Sequence, residues 1–182
     1  EPHFLFNTLA NVQALVEAGS PRAPKLLERL AEYLRAAVPR LDGSASTLGQ
    51  ELELVRAYLE LMQMRMPDRL QFSMDVEPAL LARPFPAMAL LTLVENAVRH
   101  GIDPSEAGGA IAIGGRVQST GALLWVQDGG VGLSPTAEPG LGLRNLRTRL
   151  QAFFGEGVRL ELHEATPRGL RAEIHLPPAA EP

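Results

Sequence analysis

The chain has 182 residues, 46% of them hydrophobic, enough to bury a core and to form one domain or two small ones. A formal charge of −4 and a pI near 5.6 argue against a nucleic-acid-binding surface, which would need a basic face. With no cysteine, disulfides and thiolate chemistry are excluded, and a reducing compartment suits the chain. No signal peptide is visible, and the longest apolar stretch, residues 80–98, is broken by Arg83, Pro84, Pro86 and Glu95, so it does not span a bilayer. The chain starts at Glu1-Pro2-His3 without an initiating Met, as a fragment of something longer would.

Leu5, Leu9, Val12 and Val16 recur at helical spacing and predict a helix from about Pro2 to Val16, with His3, Asn7 and Asn11 on a different, polar face. Ser20-Pro21 reads as an N-cap followed by proline at the first helical position. The second helix sends Leu27, Leu30, Leu34 and Val38 toward a core and stops before Pro39. After a loop over Leu41–Ala45, Thr47-Leu48-Gly49-Gln50 resembles a capping box opening a third amphipathic helix through Leu48, Leu52, Val55, Leu59 and Met62.

The pattern changes after Pro67. Leu70–Val76 alternates as a strand does, and Pro86 opens a mostly apolar, buried helix through His100. Ala110–Val117 and Ala122–Gln127 read as strands, Ser134–Pro139 as a loop, and Leu141–Phe154 as a helix. Val158–His163 and Leu170–Leu176 are strands of a terminal hairpin across Thr166–Gly169, followed by a tail. The result is an α+β chain: helical over 1–66, then a mixed sheet with helices on one face over 67–182.

Chemistry concentrates in three places. Asn96, Arg99 and His100 stand at i, i+3 and i+4 of one helix, so their side chains share a neighbourhood. An amide in an apolar helix needs a partner, because an unpaired buried one costs about 1–3 kcal/mol; Mg²⁺ with phosphate oxygens would serve, and so would a neighbouring loop. Asp128 ends an apolar strand and runs into Gly129, Gly130 and Gly132; such a carboxylate can read an adenine amino group, although Asp-Gly by itself reads as a turn. Gly140-Leu141-Gly142-Leu143 leads into a helix, where backbone N–H groups could meet phosphate, and is weak evidence alone. In this order the three suggest a site for Mg·ATP. There is no P-loop, GxSxG or HExxH, and the four histidines lack metal-ligand spacing; His163 and His175 read as surface positions on strands.

Taken together, these motifs resemble the LytS/YehU-type sensor histidine kinases of the GHKL ATPase superfamily over nearly the whole chain. Pro2-His3-Phe4-Leu5-Phe6-Asn7 resembles the family's phosphoacceptor motif, and Tyr58-Leu59-Glu60-Leu61 with Arg65 its linker-helix signature. Leu93 to Gly101 resembles the N box, Asp128–Gly132 the G1 box and Gly140–Leu143 the G2 box. The resemblance implies a helical dimerisation and phosphotransfer hairpin followed by a Bergerat-type α/β sandwich. It also implies a protein-histidine kinase in which His3 is the phosphoacceptor, Asn96 holds Mg²⁺ and Arg99 contacts phosphate. His100 would pack near the nucleotide and Asp128 would bind the adenine amine. Gly130 and Gly132 would allow close approach, and Gly140 to Leu143 would shape a short lid over ATP.

Further implications are a homodimer, a response regulator (of LytTR type in many relatives) as phosphoryl acceptor, and a cytoplasmic domain of a membrane-attached protein. The chain departs from the family in Gly129, where Asn is usual, and in Leu170, where Thr is common. Phe4 after His3 is usual for the family and removes the adjacent carboxylate base of other histidine kinases. Two other readings stay open: a GHKL nucleotide-binding module that signals by conformation without kinase activity, and a dimerisation module that binds no nucleotide.

Overall fold

The computed structural model describes residues 2–43, 45–132 and 141–180. Three helices come first: α1 (Pro2–Glu17), α2 (Arg22–Ala37) and α3 (Leu48–Arg65). The α2 start falls one residue later than expected, with Pro21 and not Ser20 at the N-cap position. Ser20 Oγ accepts the Arg22 N–H at 3.2 Å, while Pro21 sits just outside the first turn. The α2 helix ends at Ala37, before Pro39 as expected, and Pro39 sits in a 3₁₀ turn over Val38–Arg40, where a missing N–H is tolerated. The capping box is present: Thr47 Oγ1 accepts the Gln50 N–H at 3.2 Å, and Gln50 Oε1 accepts the Thr47 N–H at 3.1 Å.

The apolar faces of α1 and α2 differ from their expected positions. Leu9, Val16, Leu27 and Val38 are exposed, and the buried faces are Thr8 with Val12 on α1 and Ala23, Leu26, Leu30, Tyr33 and Ala37 on α2. Both helices carry more apolar surface than one neighbour can cover, and the sequence marks every such position without saying which stripe meets this chain. On α3, Leu48, Leu52, Val55, Leu59 and Met62 are all buried, as their spacing predicts.

The sheet is mixed. Strands β2 (Leu70–Val76), β4 (Gly109–Gln118), β5 (Gly121–Asp128), β6 (Arg159–Glu164) and β7 (Leu170–Leu176) lie in the order β2-β4-β5-β7-β6. Among the described residues, only β2 and β4 pair in parallel. Between them the chain passes through α4 (Ala89–Asn96), which continues as a π-helical turn over Ala97–Ile102 closed by Asp103 N–H on Val98 C=O at 2.8 Å. This helix begins three residues later than Pro86, because Met88 adopts a left-handed φ of 65° and the buried Glu51 of α3 takes the first free N–H groups. Its carboxylate accepts from Met88 at 2.9 Å and Leu91 at 3.1 Å.

A two-residue pairing that the sequence does not announce, β1 (Ser46–Thr47) with β3 (Pro84–Phe85), fixes the α3 start to the approach of α4. Helix α5 (Leu141–Phe154) completes the layer over the sheet, with Leu146 and Leu150 buried. Along β5, Ala122, Leu124, Val126 and Asp128 point inward while Leu123, Trp125 and Gln127 point outward. Outside, Trp125 lies on Gly114, between the guanidinium groups of Arg116 at 5.5 Å and Arg171 at 4.6 Å from its ring. One apolar cluster runs from Val12 through α3 and α4 to Leu176. No helix among the described residues is long and apolar enough to cross a membrane.

Candidate active site

The α4 segment carries two different faces, and each meets a different cavity. On the sheet side, Leu93 and Ala97 of α4 and its π turn, Val126 of β5, Leu162 of β6 and Leu170 with Ala172 of β7 form apolar walls, and Leu143 of α5 closes them. Asn96 and Asp128 are the two polar side chains that the described residues bring to this pocket. Apolar walls with two oriented polar groups suit a flat heteroaromatic ring. Its volume is about 20 Å³, room for about one water, so a ring enters only if the walls part.

Asp128 ends the central strand, 2% exposed, and its Oδ1 accepts the Gly130 N–H at 2.9 Å. Burial pushes this carboxyl above the usual range, against the opposing pull of the Gly130 and Leu170 backbone amides. The glycines around it are close-approach positions. A Cβ on Gly101 would fall 2.5 Å from Asp128 Oδ1, and one on Gly130 would fall 1.9 Å from Gly101 O. The loop after β5 is seated on the end of the π turn by Val131 N–H on Gly101 C=O at 3.1 Å. Leu93, Ala97 and Gly101 fall inside the stretch that resembles the N box, but neither they nor the wall residues Val126, Leu162 and Ala172 received a site role from the sequence. Gly101 carried a signal, a glycine directly after His100 in an otherwise helical run, whereas the wall residues look like any core.

On the opposite side, a cavity of about 340 Å³ opens between α1, α3 and the π turn. His3 and Asn7 line it from α1, Arg65 from α3, and Glu95 and Arg99 from α4 and its π turn. Burial pushes the Glu95 carboxyl up. Phe4, next to His3, is wedged edge-on against Tyr33 at 5.5 Å and tilted on Tyr58 at 5.5 Å, which fixes the first turn of α1. Arg69 Nη2 donates to the carbonyls of Ile102 at 3.3 Å, Asp103 at 2.9 Å and Ser105 at 2.7 Å, tying the end of the π turn to β2.

The expected trio on α4 is therefore divided. Asn96 faces the Asp128 pocket and Arg99 the His3 cavity, while His100 is exposed and lines neither. Gly132 follows with a left-handed φ of 79°. Gly140 lies outside the described residues, as does the expected loop over Ser134–Pro139. Leu141 opens α5 and Gly142 is exposed in its first turn, with nothing within 4 Å of a would-be Cβ. As for metals, no group of three or more His, Cys, Asp or Glu among the described residues could hold an ion. The single amide oxygen of Asn96 at this pocket nonetheless fits Mg²⁺ that arrives with phosphates, because Mg²⁺ keeps several waters and takes few protein ligands.

Residues 1–70 match the family model described as histidine kinase. The chain is 31% identical over 175 residues to the sensor protein LytS of Staphylococcus saprophyticus, a match covering 89% of this chain and 30% of LytS. It thus spans about a third of the length of that curated relative. Among solved structures, the histidine kinase domain of the blue-light activated kinase from Erythrobacter litoralis EL346 superposes with a TM-score of 0.57 at 20% identity, covering 94% of this chain and 91% of that one. Histidine kinase ThkA in complex with response regulator protein TrrA gives 0.55 at 15% identity, over 97% of this chain and 59% of that one. These likenesses to solved structures concern the fold, an α+β architecture shared with histidine kinase catalytic domains. With the motifs at His3, Asn96 and Asp128, the chain belongs to the LytS/YehU-type family of sensor histidine kinases.

Proposed function

We propose that this chain is the ATP-dependent kinase core of a two-component system, which phosphorylates its own His3 and passes the phosphoryl group to a response regulator. The observation that carries the reading is the division of α4: one helix presents Asn96 to a pocket floored by Asp128 and, on its other side, Arg99 to the cavity holding His3. ATP would place its base against Asp128, which accepts a hydrogen bond from the exocyclic amine. Asn96 would hold Mg²⁺ through its amide oxygen, and the metal would supply charge neutralisation for the phosphates. Arg99 would bind phosphate oxygens, and Gly140 and Gly142 would shape a short lid over ATP. Catalysis of this kind is largely positioning and charge stabilisation.

Residues 1–66 are the dimerisation and phosphotransfer region in this reading, and 67–182 the ATP-binding domain. Exposed Phe6, Leu9 and Val16 on α1, with Leu27 and Val38 on and just after α2, form the surface for a second protomer. The regulator, of LytTR type or another, would approach His3 from solvent, and the whole protein would be held at the membrane by segments upstream. The other reading, a nucleotide-binding module that signals by conformation without phosphotransfer, draws its support from Gly129 and Leu170, which depart from the family pattern, and from Phe4 in place of a carboxylate after His3.

The test is incubation with Mg·ATP labelled at the γ-phosphate, using the chain extended upstream of α1. Acid-labile, base-stable label that disappears in His3→Gln, with ATP binding retained, is the expected result. Label persisting in His3→Gln moves the phosphoacceptor elsewhere, and ATP binding with no label selects the sensing module.

A further inference from the structure

Three arginines line the His3 cavity, and they are not equivalent. Arg69 is occupied as a strut, its Nη2 shared among the Ile102, Asp103 and Ser105 carbonyls. Arg99 comes from the π turn, on the segment that follows Asn96. Arg65 comes from the other wall, the last turn of α3, and it is half-buried. Its guanidinium sits 5.8 Å from the ring centroid of Phe4, the residue after His3, and that ring is itself locked by Tyr33 and Tyr58. Among the described residues no carboxylate forms an ion pair with Arg65; its hydrogen-bond partner there is the weakly accepting Met62 sulfur at 4.0 Å. A guanidinium held beside the cavity, with no carboxylate among the described residues in an ion pair with it, is prepared for an anion.

We propose that Arg65 is a catalytic residue that binds the phosphoryl oxygens in transit to His3 and then holds the phosphohistidine. This rests on His3 being the phosphoacceptor. In the step, a lone pair on one ring nitrogen of neutral His3 forms the N–P bond. The P–O bond to ADP breaks, its electron pair stays on the β-phosphate oxygen, and the proton on the other ring nitrogen leaves to solvent. Arg65 donates to the non-bridging oxygens throughout and is itself unchanged, with Arg99 on the opposite wall, so two cations from two elements flank the transferring group. Because His3 and Arg65 belong to one chain and line one cavity, Arg65 serves the histidine of its own protomer.

The test separates charge from packing, using the upstream-extended chain. Arg65→Lys keeps a cation, Arg65→Met keeps the apolar stem without charge, and Arg65→Ala removes both. Single-turnover phosphorylation at saturating Mg·ATP is expected to fall by about 10²–10³ in Arg65→Met and Arg65→Ala, and by about tenfold or less in Arg65→Lys. ATP affinity by calorimetry should stay within about twofold of wild type in all three, since the base and metal are held elsewhere. Full-rate phosphorylation by Arg65→Met overturns the proposal, as does a rate loss that Arg65→Lys does not relieve. If Arg65→Ala loses its fold through the Phe4 contact, the Met and Lys variants still decide. A wild-type protein that binds ATP and takes no label overturns the kinase reading itself, whereas a labelled wild type with an equally labelled Arg65→Met overturns only the role of Arg65.

Discussion

Gly101→Ala is a single-methyl test of the Asp128 pocket. The added Cβ would stand 2.5 Å from Asp128 Oδ1, 2.7 Å from Cγ and 2.9 Å from Oδ2. Ordinary contact needs about 3.5 Å, so the carboxylate and the π turn must separate by about 1 Å. Asp128 cannot swing outward, being 2% exposed and bonded to the Gly130 N–H at 2.9 Å. Overpacking of this kind costs about 1–3 kcal/mol, which in urea shifts the unfolding midpoint by about 1 M. If adenine binds as proposed, a displaced carboxylate also loses its hydrogen bond to the exocyclic amine, worth about 1.5–3 kcal/mol for a charged acceptor, a fall of about 10–100-fold in ATP affinity. Calorimetry with Mg·ATP and urea titration together measure both. Gly142→Ala is the control, since its Cβ meets nothing within 4 Å, and its stability should be unchanged. ATP affinity unaltered in a folded Gly101→Ala protein would refute the placement of adenine at Asp128.

Asn96→Ala should abolish the Mg²⁺-dependent part of nucleotide binding while the fold survives; Mg·ATP affinity equal to wild type in a folded variant removes Asn96 from the metal. Asp128 accepting from an exocyclic amine predicts strong preference for ATP over GTP, which presents a carbonyl there, and competition binding with equal affinities would count against it. Glu51→Gln should flatten the pH dependence of stability. Burial raises the folded-state value of Glu51 above its ordinary 4.5, although the Leu91, Met88 and Leu90 amides and the charge of Arg149 oppose the rise. Between those two values the folded chain holds more protons than the unfolded one, so this carboxyl's contribution declines as pH rises from 4.5 through the folded value. Urea midpoints that fall as steeply in Glu51→Gln as in wild type across that window would show that the carboxyl is not the source.

The strand limits of β2 and β7 are legible residue by residue, because each is flanked by turn residues and has one face against the core. The α1 and α2 faces are less so. Leu9 and Leu27 satisfy the same period as Val12 and Leu30, and periodicity cannot separate a stripe buried within the chain from one left on its surface. The π turn is invisible because Ala97 to Ile102 would serve equally well in an α-helix; its widening comes from the seating of Gly101 against Asp128 and Gly130. Asn96 and Asp128 were readable as a pair, since each is a polar residue interrupting an apolar segment. The partition of Arg99 away from Asn96 was not, because i, i+3 spacing gives proximity along a helix and not the identity of the cavity each side chain enters. His163 and His175, read as simple surface positions, lie within 3.2–3.5 Å of Glu161 and Glu173 in a cross-strand charge cluster on the outer face of the sheet.

The Glu51 carboxylate joins α3 to α4 in a way that has a mechanical consequence. Its two hydrogen bonds to the Met88 and Leu91 N–H groups are buried and lie at the α4 start, while α3 itself runs back along α2. A rotation or slide imposed on the helical hairpin from upstream therefore cannot stop at α3. Either α4 follows, or both bonds to a charged acceptor break at about 1.5–3 kcal/mol each. Following is the cheaper course, and α4 is the element whose two sides face Asp128 and His3. Under the proposed function, a torque delivered along the hairpin becomes a change in the alignment of phosphoryl donor and acceptor, a gearing in which Glu51 is the tooth.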